Sequence, residues 1–219
     1  MVLTGHAQSI ESPNRQLNLT FHVDNGIPYY SLLYKGKIII EKSRLGFEMK
    51  NIPSMVDNFS ILKSSTSAFD ETWEPVWGEV KKIRNQYNEL EITLEQGSPK
   101  RTVIIRFRLY DDGLGFRYEF PNQKNLSYFT IAEEITQFNL GKDYTAFWIR
   151  GDYDTNEYNY TTSLLSEVSH QIDAATEEIS AQTPTKEISV QTPLMLKGNG
   201  VYINIHEAAL KDYPAMLLE

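Results

Sequence analysis

Apolar and polar residues alternate along one stretch of this chain, and that alternation restricts its fold more than any other feature of the sequence. Between residues 101 and 110 every second side chain is apolar, whereas Arg106 and Arg108 lie on the opposite face. The apolar positions are Val103, Ile105, Phe107 and Leu109. A period of two is typical of a β-strand with one buried face. Shorter stretches repeat the pattern, and no helix longer than about two turns is indicated. We therefore predict an all-β fold.

Turn signals separate the predicted strands. Asn25-Gly26 and Gly198-Asn199-Gly200 tolerate positive φ and are typical of hairpin turns. Residues 163–192 contain few large apolar side chains after Val168, so we expect an exposed excursion with one helical turn. The predicted strands cover residues 17–23, 28–34, 37–41, 44–49, 59–64, 88–95, 101–110, 115–120, 126–132, 136–140, 145–149, 191–197 and 201–207.

Charge and composition exclude several classes of function. The formal net charge of −8 argues against nucleic acids and anionic membrane surfaces, which both require clustered Lys and Arg. The chain of 219 residues has no cysteine, which excludes disulfides, thiolate zinc sites and cysteine nucleophiles. No stretch approaches the roughly 18 apolar residues that a membrane-spanning helix needs. A neutral substrate and a divalent cation both remain compatible with this composition.

The two ends of the chain carry further signals. Gly5-His6-Ala7 has the small residues of a signal-peptidase site, so residues 1–10 are expected to be a signal-peptide remnant or a disordered start. The first of these readings predicts a periplasmic or secreted protein. Met216-Leu217-Leu218 places apolar residues at the other end, where a domain rarely stops without a packing partner. We expect the sandwich to be truncated there.

The acidic loop, residues 151–158, has the clearest chemical character. Its possible oxygen donors are Asp152, Asp154, Asn156 and Glu157. Hard cations require several oxygens at short range, and the first three donors have the spacing of an EF-hand. However, Glu157 stands where that motif needs glycine, and Ser163 stands where it needs a bidentate glutamate. The sequence thus excludes an EF-hand and leaves two interpretations, a partial cation site and a polar loop that bonds its own backbone.

Two other clusters are candidate sites. Acidic residues alternate with Trp73 and Trp77 in residues 69–79, which suits a carbohydrate-facing surface, although we expect at least one ring to fill the core. His206 and Glu207 end a predicted strand and form a candidate pair, although a lone histidine is more often structural than a ligand.

Five segments resemble glycoside hydrolase family 97. They read FDETWEPVWGE at 69–79, IRNQYNEL at 83–90, DGLGFRYEFP at 112–121, GDYDTNEY at 151–158 and HEAAL at 206–210. Their order and spacing agree with that family, and the resemblance covers the chain from about Ser12 onward.

The resemblance implies a galactose-mutarotase-like β-super-sandwich, followed in the family by a catalytic (β/α)8 barrel and a small C-terminal β-domain. Members of the family are bacterial, largely periplasmic α-glucosidases and α-galactosidases that hold calcium in the active site. Because the barrel supplies the acid and the base or nucleophile, no catalytic residue is expected in this chain. The sandwich lends the calcium one carboxylate, which corresponds to Glu157. Arg150 departs from the proline that the family commonly has before this loop.

We therefore interpret residues 11–219 as the incomplete N-terminal super-sandwich of a calcium-dependent α-glycosidase, closest to the α-glucosidase type. Its expected partners are the barrel of the same protein and an oligosaccharide substrate such as a maltooligosaccharide. Glu157 is the expected metal ligand, and Asp152 and Asp154 are expected to shape the loop. Candidate substrate or interface residues are His206, Glu207, Trp73, Trp77, Asp152 and Asp154.

The sequence leaves two alternative functions open. A non-catalytic carbohydrate-binding or interaction module would use exposed Trp73 and Trp77. A mutarotase-type sugar epimerase would use His206 and Glu207, because it needs a histidine and a carboxylate that converge.

Overall fold

The computed structural model describes residues 7–175, 182–211 and 213–219, and strands account for nearly all of their regular structure. These residues form two compact units, one ending at Gly141 and the other beginning at Lys142. No helix in the described ranges is long and apolar enough to span a membrane. The first unit contains strands β1 Gln8–Glu11, β2 Leu17–Asp24, β3 Ile27–Tyr34, β4 Lys37–Arg44, β5 Phe47–Lys50, β6 Phe59–Trp73, β7 Ile83–Gln96, β8 Arg101–Leu109, β9 Leu114–Glu119 and β10 Thr130–Glu134, with a 3-10 turn at Lys124–Leu126.

The first unit is a β-sandwich. Two antiparallel sheets, ordered β1-β2-β3-β4 and β6-β7-β8-β9, pack through aromatic side chains, and a smaller sheet pairs β5 with β10. Phe107 lies at the centre, with its ring centroid 6.0 Å from that of Phe21 and 6.2 Å from that of Tyr30. All the apolar positions predicted to share one face of β8 are buried. The period-two pattern therefore predicted correctly which side chains of β8 lie in the core of this unit.

The opposite face of β8 carries an ion-pair network. Arg106 contacts Glu89 at 2.5 Å, Glu91 at 2.6 Å and Glu119 at 2.9 Å. Arg108 contacts the second oxygen of Glu89 at 2.7 Å. The face predicted to be polar is thus held by charges that neutralise one another across three neighbouring strands.

The predicted Asn-Gly turns are confirmed. Asn25 and Gly26 join β2 to β3 with φ values of 49° and 80°, and Asn199 and Gly200 form the other predicted turn with φ values of 52° and 76°. A Cβ on Gly26 would lie 2.9 Å from the backbone nitrogen of Asn58, so this glycine is required for close approach as well as for its φ.

Several predicted strands differ from the structure. β6 and β7 reach far beyond the predicted 59–64 and 88–95, because cross-strand pairing holds them where neither face of β6 is buried. Residues 136–140 are not a strand, although Glu41 donates a backbone hydrogen bond to Asn139 at 2.7 Å. The strand predicted at 126–132 begins later, at β10, because a 3-10 turn precedes it.

The second unit contains strands β11 Thr145–Trp148, β12 Thr161–Leu164, β13 Val190–Gln191, β14 Leu194–Gly198, β15 Val201–Ile205 and β16 Leu217–Leu218, a 3-10 turn at Leu165–Glu167 and a short helix α1 at Val168–Gln171. One sheet is ordered β12-β11-β14-β15, and β13 pairs with β16. Trp148 is fully buried, and its indole N–H donates to the Ser163 hydroxyl at 3.0 Å.

The predicted excursion at 163–192 holds the expected helical turn, α1, and most of its described residues are exposed or half-buried. Val168, Ile172 and Thr185 are buried. Its residues 176–181 lie outside the described residues, as do residues 1–6, which include most of the candidate signal-peptidase site. The first paired strand, β1, begins at Gln8, before the domain start predicted at residue 11.

Candidate functional site

The acidic loop begins at a close approach of two backbone segments in the second unit. Gly151 donates its backbone N–H to the Ser189 carbonyl at 2.7 Å, and its own carbonyl accepts from the Thr185 N–H at 3.0 Å. A Cβ on Gly151 would meet the Ser189 hydroxyl at 2.0 Å, so no larger residue fits. The loop is therefore joined at its start to residues more than thirty positions later in the sequence.

The buried carboxylate of Asp152 organises the loop. One oxygen, Oδ1, accepts the backbone N–H groups of Asp154 at 2.8 Å and Thr155 at 3.0 Å. The other, Oδ2, accepts the Tyr158 hydroxyl at 2.8 Å and the Thr183 backbone N–H at 2.8 Å. Asp152 is only 7% exposed, and these four hydrogen bonds occupy the acceptor positions of its carboxylate.

These bonds shift the pKa values of both acidic partners. Burial alone would raise the pKa of the Asp152 carboxyl, but the hydrogen bonds from Asp154, Tyr158, Thr155 and Thr183 outweigh it and hold that pKa below its ordinary value. Burial, followed by the hydrogen bond to Asp152, raises the pKa of Tyr158 to about 12. At neutral pH the loop is thus closed by an ionised carboxylate and a neutral phenol.

A second brace closes the rest of the loop. The Gln191 side-chain amide donates to the carbonyls of Arg150 at 3.0 Å and Thr155 at 2.7 Å. Thr183 also donates its hydroxyl to the Asp154 carboxylate. Beyond Thr155, the Thr155 hydroxyl accepts the backbone N–H of Glu157 at 3.2 Å. The backbone that leads into Glu157 is therefore held by neighbouring residues.

Glu157 differs from Asp152 and Asp154 in the surroundings of its carboxylate. Its side chain is exposed, and within the described residues its carboxylate makes no hydrogen bond or ion pair. Across those same ranges, no group of three or more His, Cys, Asp or Glu residues converges to hold a metal ion. The loop thus offers one unengaged carboxylate, and any cation there would need oxygens from elsewhere.

Arg150, where the resemblance leads us to expect proline, is anchored beside the loop. Its guanidinium donates to the Asp173 carboxylate at 3.0 Å and to the Ile172 carbonyl at 3.4 Å, just after α1. Its backbone carbonyl keeps the bond to Gln191. This departure therefore adds a contact to α1 while the loop frame remains intact.

The two other candidate tryptophans are exposed, which corrects the expectation that at least one would fill the core. Trp73 is 47% exposed at the end of β6, and Trp77 is 88% exposed in the connection to β7. They lie in the first unit, on a hairpin whose strands outrun the rest of their sheet. The structure leaves both rings available to a ligand or partner.

His206 and Glu207 follow β15 and do not share a site. The imidazole Nδ1 of His206 contacts the Glu207 backbone carbonyl at 2.9 Å. The Glu207 carboxylate accepts the Thr192 hydroxyl at 3.1 Å and also the backbone N–H of Met216. Glu207 therefore ties together two backbone segments, which is a structural task.

Comparison with known proteins decides the family. The family description "Glycosyl-hydrolase 97 N-terminal" matches residues 10–219. A glycoside hydrolase family 97 enzyme from Pseudoalteromonas sp. strain K8, solved in complex with acarbose, is 32% identical over 96% of this chain, with a TM-score of 0.82. This chain belongs to glycoside hydrolase family 97.

Other solved structures share this fold. The E480Q variant of the Pseudoalteromonas enzyme, in complex with panose, gives a TM-score of 0.81 at 32% identity and 96% coverage of this chain. A β-arabinopyranosidase shares the fold at 23% identity, with a TM-score of 0.63 over 86% of this chain. The chain spans about 30% of the length of the Pseudoalteromonas relatives. The predicted family and the predicted all-β super-sandwich class are both confirmed.

Sequence reasoning on the family 97 loop found its acidic residues but missed what holds them. Nothing in the sequence pattern singles out Tyr158, and Thr183 and Gln191 lie within residues 163–192, which are predicted to be an exposed excursion. Their signal is weak, because they lie about thirty residues or more from the groups they bind. Several backbone hydrogen bonds bring these segments together, including those from Gly151 to Ser189, from Thr185 to Gly151 and from Tyr153 to Thr183.

Proposed function

We propose that this chain is the N-terminal domain of a calcium-dependent α-glucosidase that acts on α-glucosides such as maltooligosaccharides. The substrate class is supported by the relatives: the Pseudoalteromonas enzymes are bound to acarbose and to panose, and panose is an α-linked glucose trisaccharide. The part played by a separate catalytic domain is supported by the length of those relatives, about 30% of which this chain matches.

The exposed, unengaged carboxylate of Glu157 carries the proposal for this chain. Calcium prefers carboxylate and carbonyl oxygens and takes six to eight of them, so a hard-oxygen ligand of this kind fits. Asp152 does not fit, because its oxygens already accept four hydrogen bonds. When bound in the complete enzyme, the ion would orient substrate and stabilise developing negative charge.

The remaining residues of the loop have a positioning task. Asp152 and Gln191 fix the backbone on the near side of Glu157, so its carboxylate is presented without an entropic search of loop conformations. Packing of the catalytic barrel against this domain would then complete the set of ligands. In this proposal the acid and base of hydrolysis belong to that barrel.

Calorimetry on the purified chain tests the metal assignment. A single carboxylate is a poor cage, so we expect calcium dissociation constants above about 1 mM for the chain alone. In the complete enzyme, Glu157→Gln should weaken calcium binding at least about tenfold, whereas Asp154→Asn serves as a matched control from the same loop. Tight calcium binding by the chain alone, or equal binding by both variants, would disprove the ligand role.

Activity forms a second test. The 219-residue chain is expected to release no p-nitrophenol from p-nitrophenyl α-glucoside, because it carries no catalytic pair in this proposal. The complete enzyme should release it, with a lower rate after calcium chelation. Hydrolysis by the isolated chain would show that catalytic residues lie within these 219 residues.

A second candidate function is favoured by the exposure of Trp73 and Trp77, which would suit a non-catalytic carbohydrate-binding module. Titration of the tryptophan fluorescence with maltooligosaccharides separates the two functions. A saturable change that disappears in Trp77→Ser would support the binding module, whereas the α-glucosidase proposal predicts no saturable change. The epimerase alternative has less support, because the Glu207 carboxylate is engaged by Thr192 and Met216.

A further inference from the structure

The hairpin formed by β6 and β7 projects past its own sheet. β8 pairs with β7 only from Asn88 onward, whereas β6 remains paired with β7 as far as Trp73 and Ile83. The hairpin tip, residues 69–87, is therefore a two-stranded ribbon closed by a connecting loop. A ribbon of two strands is marginal in water unless its apolar face is covered.

One face of the hairpin tip carries an apolar pair at each end, with the polar pair of Glu71 and Asn85 between them. Phe69 pairs with Tyr87, and Trp73 pairs with Ile83, so these four side chains share a face. At the base, the rings of Phe69 and Tyr87 stack with centroids 5.2 Å apart, and Tyr87 is buried against Tyr110. The face is thus core-like at its base and ends beyond the sheet at the exposed Trp73.

The connecting loop extends this apolar character. Val76 is 100% exposed and Trp77 is 88% exposed, and Val80 is also exposed. Exposed aliphatic and aromatic residues within one short loop are typical of a surface that is buried in an assembly.

Two charged pairs lie beside the apolar residues of the hairpin tip. Arg84 makes a two-pronged contact with Asp70 at 2.8 and 2.6 Å, and Lys82 lies 4.0 Å from Glu74. A partner therefore needs no charges of its own to satisfy them. An apolar centre with a polar rim is the usual anatomy of a protein–protein interface, in which aromatic residues are enriched.

The composition of the hairpin tip favours a protein partner over a sugar. Glu74 and Glu79 flank the tryptophan rings as a sugar platform would require, but the exposed Val76 and Val80 add aliphatic area that such a platform does not use. The length of the relatives supplies a candidate partner, since about 70% of each Pseudoalteromonas chain lies outside the part that this chain matches. That polypeptide is present at high effective concentration in a single chain.

We propose that the hairpin tip is a docking element that inserts into an apolar recess of the polypeptide following this domain in the complete enzyme. This inference rests on the proposed function, because it takes the catalytic part of the same protein as the occupant. Docking buries Trp77 and Val76 and covers Trp73 at the end of the ribbon. The hairpin tip then stabilises the assembly of two domains that meet at the substrate site.

Hydroxyl-radical footprinting of the 219-residue chain and of the complete enzyme tests the proposal. Trp77 should be at least about tenfold less reactive in the complete enzyme. Tyr128 is the matched reference, because it is 89% exposed in the same unit but lies outside the hairpin tip. Equal reactivity of Trp77 in both proteins would overturn the proposal.

A double variant provides an independent test. In the complete enzyme, Val76→Ser with Trp77→Ser should separate thermal unfolding into two transitions, while Tyr128→Ser should leave the transition of the parent enzyme unchanged. A single unchanged transition in the double variant would count against docking. Protection of Trp77 that rises with the concentration of the isolated chain would assign the hairpin tip to a second copy and overturn the proposal.

The proposed function can fail separately in the same samples. Hydrolysis of p-nitrophenyl α-glucoside by the complete enzyme reports the function, whereas Trp77 reactivity reports the contact. Protected Trp77 in an enzyme that does not hydrolyse α-glucosides would retain the docking element and reject the substrate class. Active enzyme with fully reactive Trp77 would do the reverse.

Discussion

The acidic loop and the hairpin tip are both acidic and rich in aromatic residues, but their polar side chains find partners in opposite ways. The acidic loop turns its polar groups inward, with Asp152 accepting four hydrogen bonds, and exposes Glu157. The hairpin tip pairs its charges at the surface and exposes Trp77. A loop whose polar groups bond to its own unit can present one free carboxylate to a ligand. A ribbon without a core of its own needs a partner to cover its apolar side chains.

The largest expected effect breaks the inward network. Asp152→Ala should lower the free energy of unfolding by about 3 kcal/mol, because it leaves the buried hydroxyl of Tyr158 and three part-buried backbone N–H groups without an acceptor. Urea denaturation followed by fluorescence of buried Trp148 measures it. The matched variant Asp154→Ala should cost about 1 kcal/mol or less. Equal losses would show that the network is not centred on Asp152.

Titration with acid is the next way to compare the acidic loop with the hairpin tip, because each contains a carboxylate whose pKa is lowered. The pKa of Asp152 is lowered in the folded protein, so the stability it contributes is present above its unfolded pKa of about 4 and is lost as pH falls through the lower folded value. The hydrogen bond and charge of Arg84 also lower the pKa of the exposed Asp70.

Salt distinguishes these two carboxylates. At about 1 M salt the pKa of Asp70 should move towards its ordinary value, because exposed charges are screened, whereas that of Asp152 should stay depressed. NMR titration of both carboxylates at low and high salt measures the difference. A salt-induced rise at Asp152 as large as that at Asp70 would mean that the loop is open to solvent.

A smaller effect is expected at Tyr158. Tyr158→Phe should cost about 1 kcal/mol, because Asp152 loses one neutral donor but keeps its backbone donors. Since the folded pKa of Tyr158 is raised to about 12, its contribution is complete below the unfolded pKa of about 10 and is lost as pH rises through 12. Ultraviolet difference titration of the parent chain and Tyr158→Phe should isolate one late-ionising tyrosine. Ionisation near pH 10 would contradict the hydrogen bond.

The smallest effect belongs to the hairpin tip. Trp77→Ser should change the free energy of unfolding of the isolated chain by less than about 0.5 kcal/mol, because its ring is almost wholly exposed. Tyr87→Ala, at the buried base of the same ribbon, should cost about 3 kcal/mol and shows that the assay detects losses there. A large loss in Trp77→Ser would mean that this chain already covers the ring.

What the sequence could predict depended on how local the cause is. The alternation in β8 and the Asn25-Gly26 turn are properties of adjacent residues, and both were predicted correctly. The length of β6 was missed, because Ser64 to Ser67 are polar on both faces and only pairing with β7 keeps them extended. A strand held by its neighbour rather than by burial has no period-two signal.

The candidate site shows the same limit. The acidic residues of the loop were found by composition, and the position of Glu157 by resemblance. The bond from Thr183 to Asp152 spans 31 positions, and that from Gln191 to Thr155 spans 36, so no local pattern announces either. The expectation that Trp73 or Trp77 would fill the core was wrong for a related reason. A sequence alone does not distinguish a core tryptophan from an interface tryptophan.

The brace between the acidic loop and residues 183–191 has a consequence for protein engineering. Transplanting residues 151–158 alone into another scaffold would carry the carboxylate of Asp152 but leave behind the donors of Thr183 and Gln191. The Asp152 carboxylate of the graft would then bond to other donors in the new scaffold, and the loop would lose its conformation. The smallest transferable module is discontinuous: two segments joined at Gly151 and Ser189, moved together or not at all.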